Sequence, residues 1–146
     1  PAKATAKAER GEPQVEPTQL TIHIRHPSGL CLDVGGKLHM WSCDSTNEMQ
    51  LWIHDTASGQ LRSGAGDARC LDAESEGMLA DCKVSAAQAW AVDAVTGHVQ
   101  THEGSCLDAV RPVAKGNSVS LSPCDKKSKT QEWRLEALHS KPKHEP

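Results

Sequence analysis

The sequence predicts an all-β fold built from three copies of one unit of roughly 40 residues. Three motifs recur in the same order: Cys-Leu-Asp at 31–33, 70–72 and 106–108, a second cysteine at 43, 82 and 124, and Gln-x-Trp at 50–52, 88–90 and 131–133. Apolar and polar residues alternate between these motifs, which is typical of strands with one buried face. A unit this short cannot cover its own apolar face, so the three copies are expected to close on one core.

The alternation is clearest at the two ends of the repeated region. Leu20, Ile22 and Ile24 alternate with polar residues in the first unit, and Val119 and Leu121 alternate with serines in the third. Glycine and proline clusters separate the apolar segments, as turns require. Four short strands in each unit predict about twelve strands in all.

The two ends of the chain are predicted to lie outside this fold. Residues 1–19 hold three prolines and a single valine, which is too little apolar surface to offset the entropy of ordering. We expect a disordered arm or interdomain linker there, with a short helix over 2–10 as the alternative. Residues 139–146 are predicted to be a disordered tail, which leaves 20–138 as the folded domain. The chain begins with Pro1 rather than Met, which favours a mature or excised segment.

The composition excludes several classes of partner. Sixteen Lys and Arg stand against nineteen Asp and Glu, for a formal net charge of −3, so a basic footprint for nucleic acid is absent. The chain has four Trp but no Phe or Tyr, so platforms for base stacking are few. No apolar run is long enough to span a bilayer. We therefore expect neither nucleic-acid binding nor membrane insertion.

The threefold set of Cys-Leu-Asp, second cysteine and Gln-x-Trp resembles the ricin B-type (R-type, Q-x-W) β-trefoil lectins. The lectin domains of polypeptide GalNAc-transferases are similar. The resemblance implies a β-trefoil of about twelve strands and a non-catalytic domain that binds galactose- or GalNAc-type glycans or glycoproteins. It also implies no cofactor, and a location outside the cell or in the lumen of the secretory pathway.

The six cysteines are predicted to form one disulfide in each unit. Six cysteines allow 15 pairings, and the repeat symmetry selects Cys31–Cys43, Cys70–Cys82 and Cys106–Cys124. Each bond would close a short loop and stabilise the fold by about 3 kcal/mol on the chain-entropy model. The alternative is six reduced, buried thiols in a cytosolic protein.

The Gln-x-Trp residues are expected to be mainly structural. Trp52, Trp90 and Trp133 would fill the core in place of the missing Phe and Tyr. The glutamines would satisfy backbone groups in the turn before each strand. The resemblance adds for Gln50 a supporting role behind a sugar site.

The first unit also carries Trp41, the one aromatic residue outside Gln-x-Trp. If Cys31 and Cys43 face each other on antiparallel strands, Asp33 lies opposite Trp41, and both lie on the face away from the core. A carboxylate that accepts bonds from ring hydroxyls, beside an indole that covers the apolar face of a pyranose, predicts a sugar site. The alternative is that Trp41 packs against the N-terminal arm or a partner domain.

The same register leaves the other two units without an aromatic platform. It puts Asp72 opposite Ala80 and Asp108 opposite Ser122. We expect both aspartates to cap turns, and we retain Asp72 and Asp108 as weaker candidate sites.

The galactose pattern of the resembling family is matched by Asp33, Trp41, His39 and Gln50. That pattern has Asn directly before the Gln of Gln-x-Trp, where this sequence has Met49. Asn47 is close enough in sequence to act as a substitute. The predicted carbohydrate-binding residues are therefore Asp33, His39, Trp41, Asn47 and Gln50.

Metal binding and catalysis have little support in the sequence. The spacing of His23, His26, His39 and His54 does not match a metal site. Glu74 and Glu76 lie near Asp72, but paired acids at a glycosidase site need a cleft, so we expect no catalytic residue. Two alternatives to a sugar-binding domain remain: a degenerate trefoil that acts as a protein-interaction or structural module, and a targeting module of a larger enzyme or toxin.

Overall fold

The computed structural model describes residues 18–138. Within them the chain forms twelve short strands and four 3₁₀ turns, so the prediction of an all-β fold with about twelve strands is confirmed. The strands are β1 (Gln19–Arg25), β2 (Leu30–Asp33), β3 (His39–Ser42), β4 (Trp52–Asp55), β5 (Leu61–Ser63), β6 (Arg69–Leu71), β7 (Leu79–Asp81), β8 (Ala91–Asp93), β9 (His98–Gln100), β10 (Ser105–Ala109), β11 (Val119–Pro123) and β12 (Arg134–Ala137). The 3₁₀ turns are Glu48–Gln50, Glu76–Met78, Ala86–Gln88 and Lys129–Gln131.

Each repeat supplies four consecutive strands, and all pairings are antiparallel. The second and third strands of each repeat form a hairpin: β2 with β3, β6 with β7, and β10 with β11. Strand β1 pairs with both β4 and β12, with Ile22 opposite Trp52 on one side and Ala137 on the other. This double pairing joins the first repeat to the last and closes the fold.

The core draws on all three repeats. Its buried residues are Ile22, Ile24, Leu32, Val34, Leu38, Met40, Trp52, Leu61, Leu71, Trp90, Val99, Leu107, Ala109 and Trp133. In β1, Ile22 and Ile24 are buried as predicted, but His23 between them is buried too, so the predicted alternation fails there. Leu20 is exposed because the start of β1 extends beyond this cluster.

The three Gln-x-Trp tryptophans are buried, as predicted. In each repeat the indole Nε1 donates to the carbonyl of the leucine in Cys-Leu-Asp: Trp52 to Leu32 at 3.1 Å, Trp90 to Leu71 at 3.0 Å and Trp133 to Leu107 at 2.9 Å. Each indole therefore fills core volume and also ties the start of the last strand of its repeat, or the residue just before it, to the second strand. This satisfies the one polar atom that a buried tryptophan brings with it.

Two glycines let the backbone approach these tryptophans closely. Gly59 and Gly97 both have φ of 82°, and their carbonyls accept from the N–H of Trp90 and Trp133. A Cβ on Gly59 would lie 2.7 Å from the carbonyl oxygen of Trp90. Only glycine combines this backbone conformation with this approach.

All three predicted disulfides are present, one in each repeat. They join Cys31 to Cys43, Cys70 to Cys82 and Cys106 to Cys124, with Cα–Cα distances of 4.9–5.0 Å. The described residues include no free cysteine.

The predicted strand register is wrong by two residues in every hairpin. The residues opposite the first cysteines are Trp41, Ala80 and Ser122, whereas Asp33 lies opposite His39 and Asp108 opposite Ser120. The cause is that each second cysteine follows the end of its strand, so the disulfide joins diagonal rather than directly opposed positions. A shift of two keeps every side chain on its predicted face, so Trp41 still points away from the core.

The predicted arm and tail lie almost wholly outside the described residues, since 1–17 and 139–146 are not described. Strand β1 begins at Gln19, one residue before the predicted start of the domain. Over residues 18–138, no helix has the length and apolar character needed to cross a membrane.

Candidate functional site

Every repeat contains the same polar bridge, made by the glutamine of Gln-x-Trp. Gln50 Nε2 donates to Asp33 Oδ2 at 3.1 Å and to the carbonyl of Ser42 at 2.7 Å, while its Oε1 accepts from the N–H of Asp44 at 2.8 Å. Gln88 and Gln131 repeat all three bonds with their own counterparts. The glutamines therefore satisfy backbone groups as predicted, and they also hold the aspartate of Cys-Leu-Asp.

The hydrogen bonds to the other oxygen of that aspartate, Oδ1, differ among the repeats. Asp33 Oδ1 accepts from the N–H of Gly35 at 2.7 Å, and Asp72 Oδ1 accepts from the N–H of Glu74 at 2.9 Å. In the third repeat the N–H of Val110 donates to the Ser118 carbonyl instead. Asp108 Oδ1 is buried and accepts no backbone N–H among residues 18–138. Burial opposes the charge on this carboxyl, but bonds from the Thr130, Gln131 and Ser122 side chains lower its pKa. The predicted turn cap is thus present in two repeats and absent in the third.

The first repeat brings together all five residues predicted to bind carbohydrate. We call Asp33, His39, Trp41, Asn47 and Gln50 the first-repeat cluster. His39 Nε2 lies 3.8 Å from Asp33 Oδ1, and Asn47 Nδ2 lies 3.5 Å from Asp33 Oδ2. Asn47 Oδ1 also accepts from the N–H of Met49 at 2.9 Å, which fixes the amide where it reaches the carboxylate.

The cluster has a buried centre and an exposed rim. Asp33 is 4% exposed and Gln50 is fully buried, whereas Trp41 is 43% exposed. The His39 and Trp41 rings meet edge to face, with centroids 5.9 Å apart and an interplanar angle of 74°. The arrangement presents a partly exposed indole at the edge of a carboxylate that several N–H groups hold in position.

Met49 occupies the place of the asparagine in the galactose pattern. Its side chain is 41% exposed. A Cβ on Gly35 would lie 3.0 Å from Asp33 Oδ1 and 3.6 Å from Cγ of Met49. The turn after Asp33 therefore packs against an apolar side chain at this edge of the cluster.

The structure adds one residue that sequence reasoning missed. Lys115 Nζ lies 5.7 Å from the centroid of the Trp41 ring, within the range of a cation–π interaction. The segment between β10 and β11 that carries Lys115 is bound to β3: Gly116 N–H donates to the Met40 carbonyl at 2.7 Å, and Met40 N–H donates to the Asn117 carbonyl at 2.9 Å. The third repeat thus supplies a cation to the edge of the first-repeat cluster.

The sequence contained a partial signal for this contact. The third cysteine pair is 18 residues apart, against 12 in the other two. The wider spacing indicates a longer segment between β10 and β11, although it does not indicate where that segment packs.

The equivalent positions in the second and third repeats lack a ring. Ala80 and Ser122 stand where the first repeat has Trp41. Burial opposes the charge on Asp72, but hydrogen bonds from the Gln88 side chain and the Glu74 N–H outweigh it and lower the pKa of that carboxyl. Asp72 is therefore an ionised acceptor held in the same way as Asp33, and the missing ring is what separates the second repeat from the first.

Two groupings of potential metal ligands occur in the described part of the chain. His98 lies beside Cys106 and Cys124, whose sulfurs are already joined in a disulfide. Glu74, His102 and Glu103 meet on an exposed surface between the second and third repeats. The cysteines of the first grouping cannot ligate a metal as thiolates while they form a disulfide. The second grouping is exposed, and exposed acidic groups often lie together without a metal.

Comparisons with known proteins agree with the geometry. The family model for the ricin-type β-trefoil lectin domain matches residues 19–133. A search of curated proteins found no match.

Solved structures with similar folds include lectins from plants, bacteria and animals. An agglutinin from Abrus precatorius aligns with a TM-score of 0.69 and 22% identity over 86% of this chain and 51% of that one. The β-trefoil lectin of the Vibrio vulnificus hemolysin, solved with N-acetyl-D-lactosamine, aligns with a TM-score of 0.65 and 20% identity over 84% of this chain and 98% of that one. The C-half of an earthworm R-type lectin, solved with GalNAc, aligns with a TM-score of 0.66 and 20% identity over 82% of this chain and 99% of that one. The chain spans about half the length of the Abrus agglutinin chain.

Proposed function

Because the chain belongs to the family of ricin-type β-trefoil lectin domains, we propose that it binds galactose- or GalNAc-type glycans, principally at the first-repeat cluster. The observation that carries the proposal is the exposed Trp41, which lies diagonally across the β2–β3 hairpin from the fixed carboxylate of Asp33. The GalNAc complex of the earthworm lectin and the N-acetyl-D-lactosamine complex of the Vibrio lectin support the choice of sugar class.

The chemistry of the cluster suits a pyranose ring. The carboxylate of Asp33 accepts from sugar hydroxyls, and the indole of Trp41 covers an apolar C–H face. Asn47 provides both a donor and an acceptor at the same edge, in place of the asparagine that the family pattern has at Met49. A shallow site with a single ring favours weak binding, in the millimolar to high micromolar range, or about −4 to −6 kcal/mol. Neighbouring domains or further copies would raise the avidity.

A titration with four monosaccharides tests this function. Methyl galactoside and GalNAc should bind with similar weak affinity, and methyl glucoside and methyl mannoside should bind at least tenfold more weakly, because their ring hydroxyls point differently. Trp41→Ala should remove the binding of both favoured sugars while the protein stays folded. The matched control is Ala80→Ser in the second repeat, which should leave binding unchanged. Undiminished binding by Trp41→Ala would place the site elsewhere.

A second candidate function is a protein-interaction or structural module. It is favoured by Met49 at the asparagine position and by the missing rings at Ala80 and Ser122. A targeting role within a larger enzyme or toxin is compatible with either candidate. A glycan array separates the two: specific binding supports the lectin, and a blank array with correctly folded protein supports the module.

We also propose that the chain acts without catalysis and in an oxidising compartment. The first-repeat cluster contains one carboxylate and no pair of acids or nucleophile with a base, which hydrolysis or transfer would need. Turnover of any glycoside by the pure protein would contradict this. Three disulfides favour the secretory pathway or the cell exterior, and mass spectrometry of unreduced protein from its native source should find all six cysteines oxidised.

A further inference from the structure

The contact between Lys115 and Trp41 bears on whether the glycan bound at the first-repeat cluster is neutral or anionic. The ammonium of Lys115 lies 5.7 Å from the centre of the indole that a sugar ring would cover. The two hydrogen bonds between Met40 and the segment around Gly116 and Asn117 fix the backbone directly after this lysine. The side chain itself is exposed, so its ammonium can move while it stays at the edge of the cluster.

A neutral sugar and an anionic sugar meet this lysine differently. A sugar that stacks on the face of Trp41 near Lys115 displaces the cation–π contact, and a neutral sugar can replace it only with hydrogen bonds from the ammonium to its hydroxyl oxygens. A sulfate or carboxylate on the same sugar offers an ion pair at the place to which the ammonium moves. The opposing charge, Asp33, is buried, and its oxygens accept from three N–H groups, those of Gly35, Asn47 and Gln50.

We propose that the first-repeat cluster prefers galactose or GalNAc residues that carry an anionic substituent, with Lys115 as the residue that selects for charge. The proposal rests on the proposed function, because it concerns the ligand of the same site. The shared chemistry is a fixed negative charge one or two bonds from the sugar ring, as a sulfate ester or as the carboxylate of a linked acidic sugar.

The test compares three kinds of glycan probe, five compounds in all, on three proteins. The probes are lactose, sulfated lactose with the sulfate at position 3′ or 6′, and sialyllactose with the same two linkages. The proteins are the parent chain, Lys115→Met, and Lys126→Met as a control that removes the same charge from an exposed third-repeat loop. Methionine keeps the length of the side chain and removes the ammonium.

The parent should bind the anionic probes about two- to fivefold more tightly than lactose, as expected for an exposed ion pair. In Lys115→Met that preference should vanish, while affinity for lactose stays the same or rises because no cation competes for the ring. Lys126→Met should behave like the parent. Raising the salt concentration should reduce the preference in the parent and leave lactose binding unchanged.

The outcomes separate the two proposals. A preference for sulfated lactose alone, or for sialyllactose alone, supports the proposal and identifies the source of the charge. Equal binding of all probes by the parent, or a preference that persists in Lys115→Met, overturns the role of Lys115 and leaves the proposed function standing. Failure of every probe to bind the folded parent overturns the proposed function and this proposal together.

Discussion

The first repeat and the second share one polar framework and differ at its rim. In both, a glutamine holds the aspartate of Cys-Leu-Asp, the aspartate caps the next turn, and a buried indole bonds to the leucine carbonyl. The difference is that the residue opposite the first cysteine is Trp41 in one and Ala80 in the other. The framework therefore explains the fold, and the rim residue explains why one repeat is the better candidate for binding.

The third repeat differs from both in its longer segment between β10 and β11. In the third repeat the N–H of Val110 donates to the Ser118 carbonyl rather than to Asp108 Oδ1, and the longer segment carries Lys115 to the edge of the first repeat. The third repeat has thus lost the turn cap of its own aspartate and gained a contact with another repeat. Sequence symmetry among the repeats does not extend to their surfaces.

The largest expected effect is the loss of stability when the core tryptophans are truncated. Trp52→Ala, Trp90→Ala and Trp133→Ala should each lower the free energy of unfolding by about 3–5 kcal/mol, because each leaves a cavity in the shared core. Trp41→Ala should lower it by under about 1 kcal/mol, as exposed substitutions usually do. Urea denaturation measures all four. A large loss of stability for Trp41→Ala would mean that this indole is structural and would weaken its assignment to a binding rim.

Isosteric Asp→Asn changes should lower stability by an intermediate amount, and the loss should be larger in the second repeat than in the third. In Asp72→Asn the new NH₂ group must face either the Glu74 N–H or the Gln88 Nε2, both of which donate to the carboxylate, so stability should fall by about 1–3 kcal/mol. Asp108→Asn can turn its NH₂ away from Gln131 toward the Thr130 and Ser122 hydroxyls, which can accept a bond, and keep its oxygen for Gln131, so its cost should be under about 1 kcal/mol. Thermal and urea unfolding of the pair provide the comparison. Equal costs would contradict the difference in turn capping.

Mild acid should have the smallest effect on stability, and the histidines responsible for that effect lie in the first repeat. Burial lowers the pKa of His23, His26 and His54 from the ordinary value of 6.5. A lowered histidine pKa means that the unfolded chain binds more protons, so the stabilisation is complete above about pH 6.5 and is lost as the pH falls through the folded-state values. Tm should decline steadily from pH 7 to pH 5.

The His26→Gln variant provides the control for the acid effect. His26 packs edge to face on Trp133 at 5.0 Å, at the junction between the first and last repeats. The variant should be less stable at pH 7 but should show a smaller decline in Tm on acidification. A Tm that does not change over this range in the parent would contradict the account.

The sequence was sufficient to predict the repeats, the all-β class, the disulfides and the core tryptophans, because each depends on spacing within one repeat. The register failed by two residues because the spacing of Cys31 and Cys43 does not reveal that Cys43 lies beyond the end of β3. The period of two preserved the face of Trp41 despite that error. Lys115 was missed because its contact with Trp41 joins distant parts of the chain through backbone bonds to Met40, and no local pattern encodes such a contact.

The most direct test of the central claim uses the four indole N–H signals in a ¹⁵N-correlated NMR spectrum. The chain has only four tryptophans, and single Trp substitutions assign each signal to its residue. Titration with methyl galactoside or GalNAc should shift the Trp41 signal in a saturable way, while the signals of Trp52, Trp90 and Trp133, which are bonded to buried carbonyls, stay in place. A Trp41 signal that remains unmoved at saturating sugar, with shifts confined to another repeat, would contradict the account.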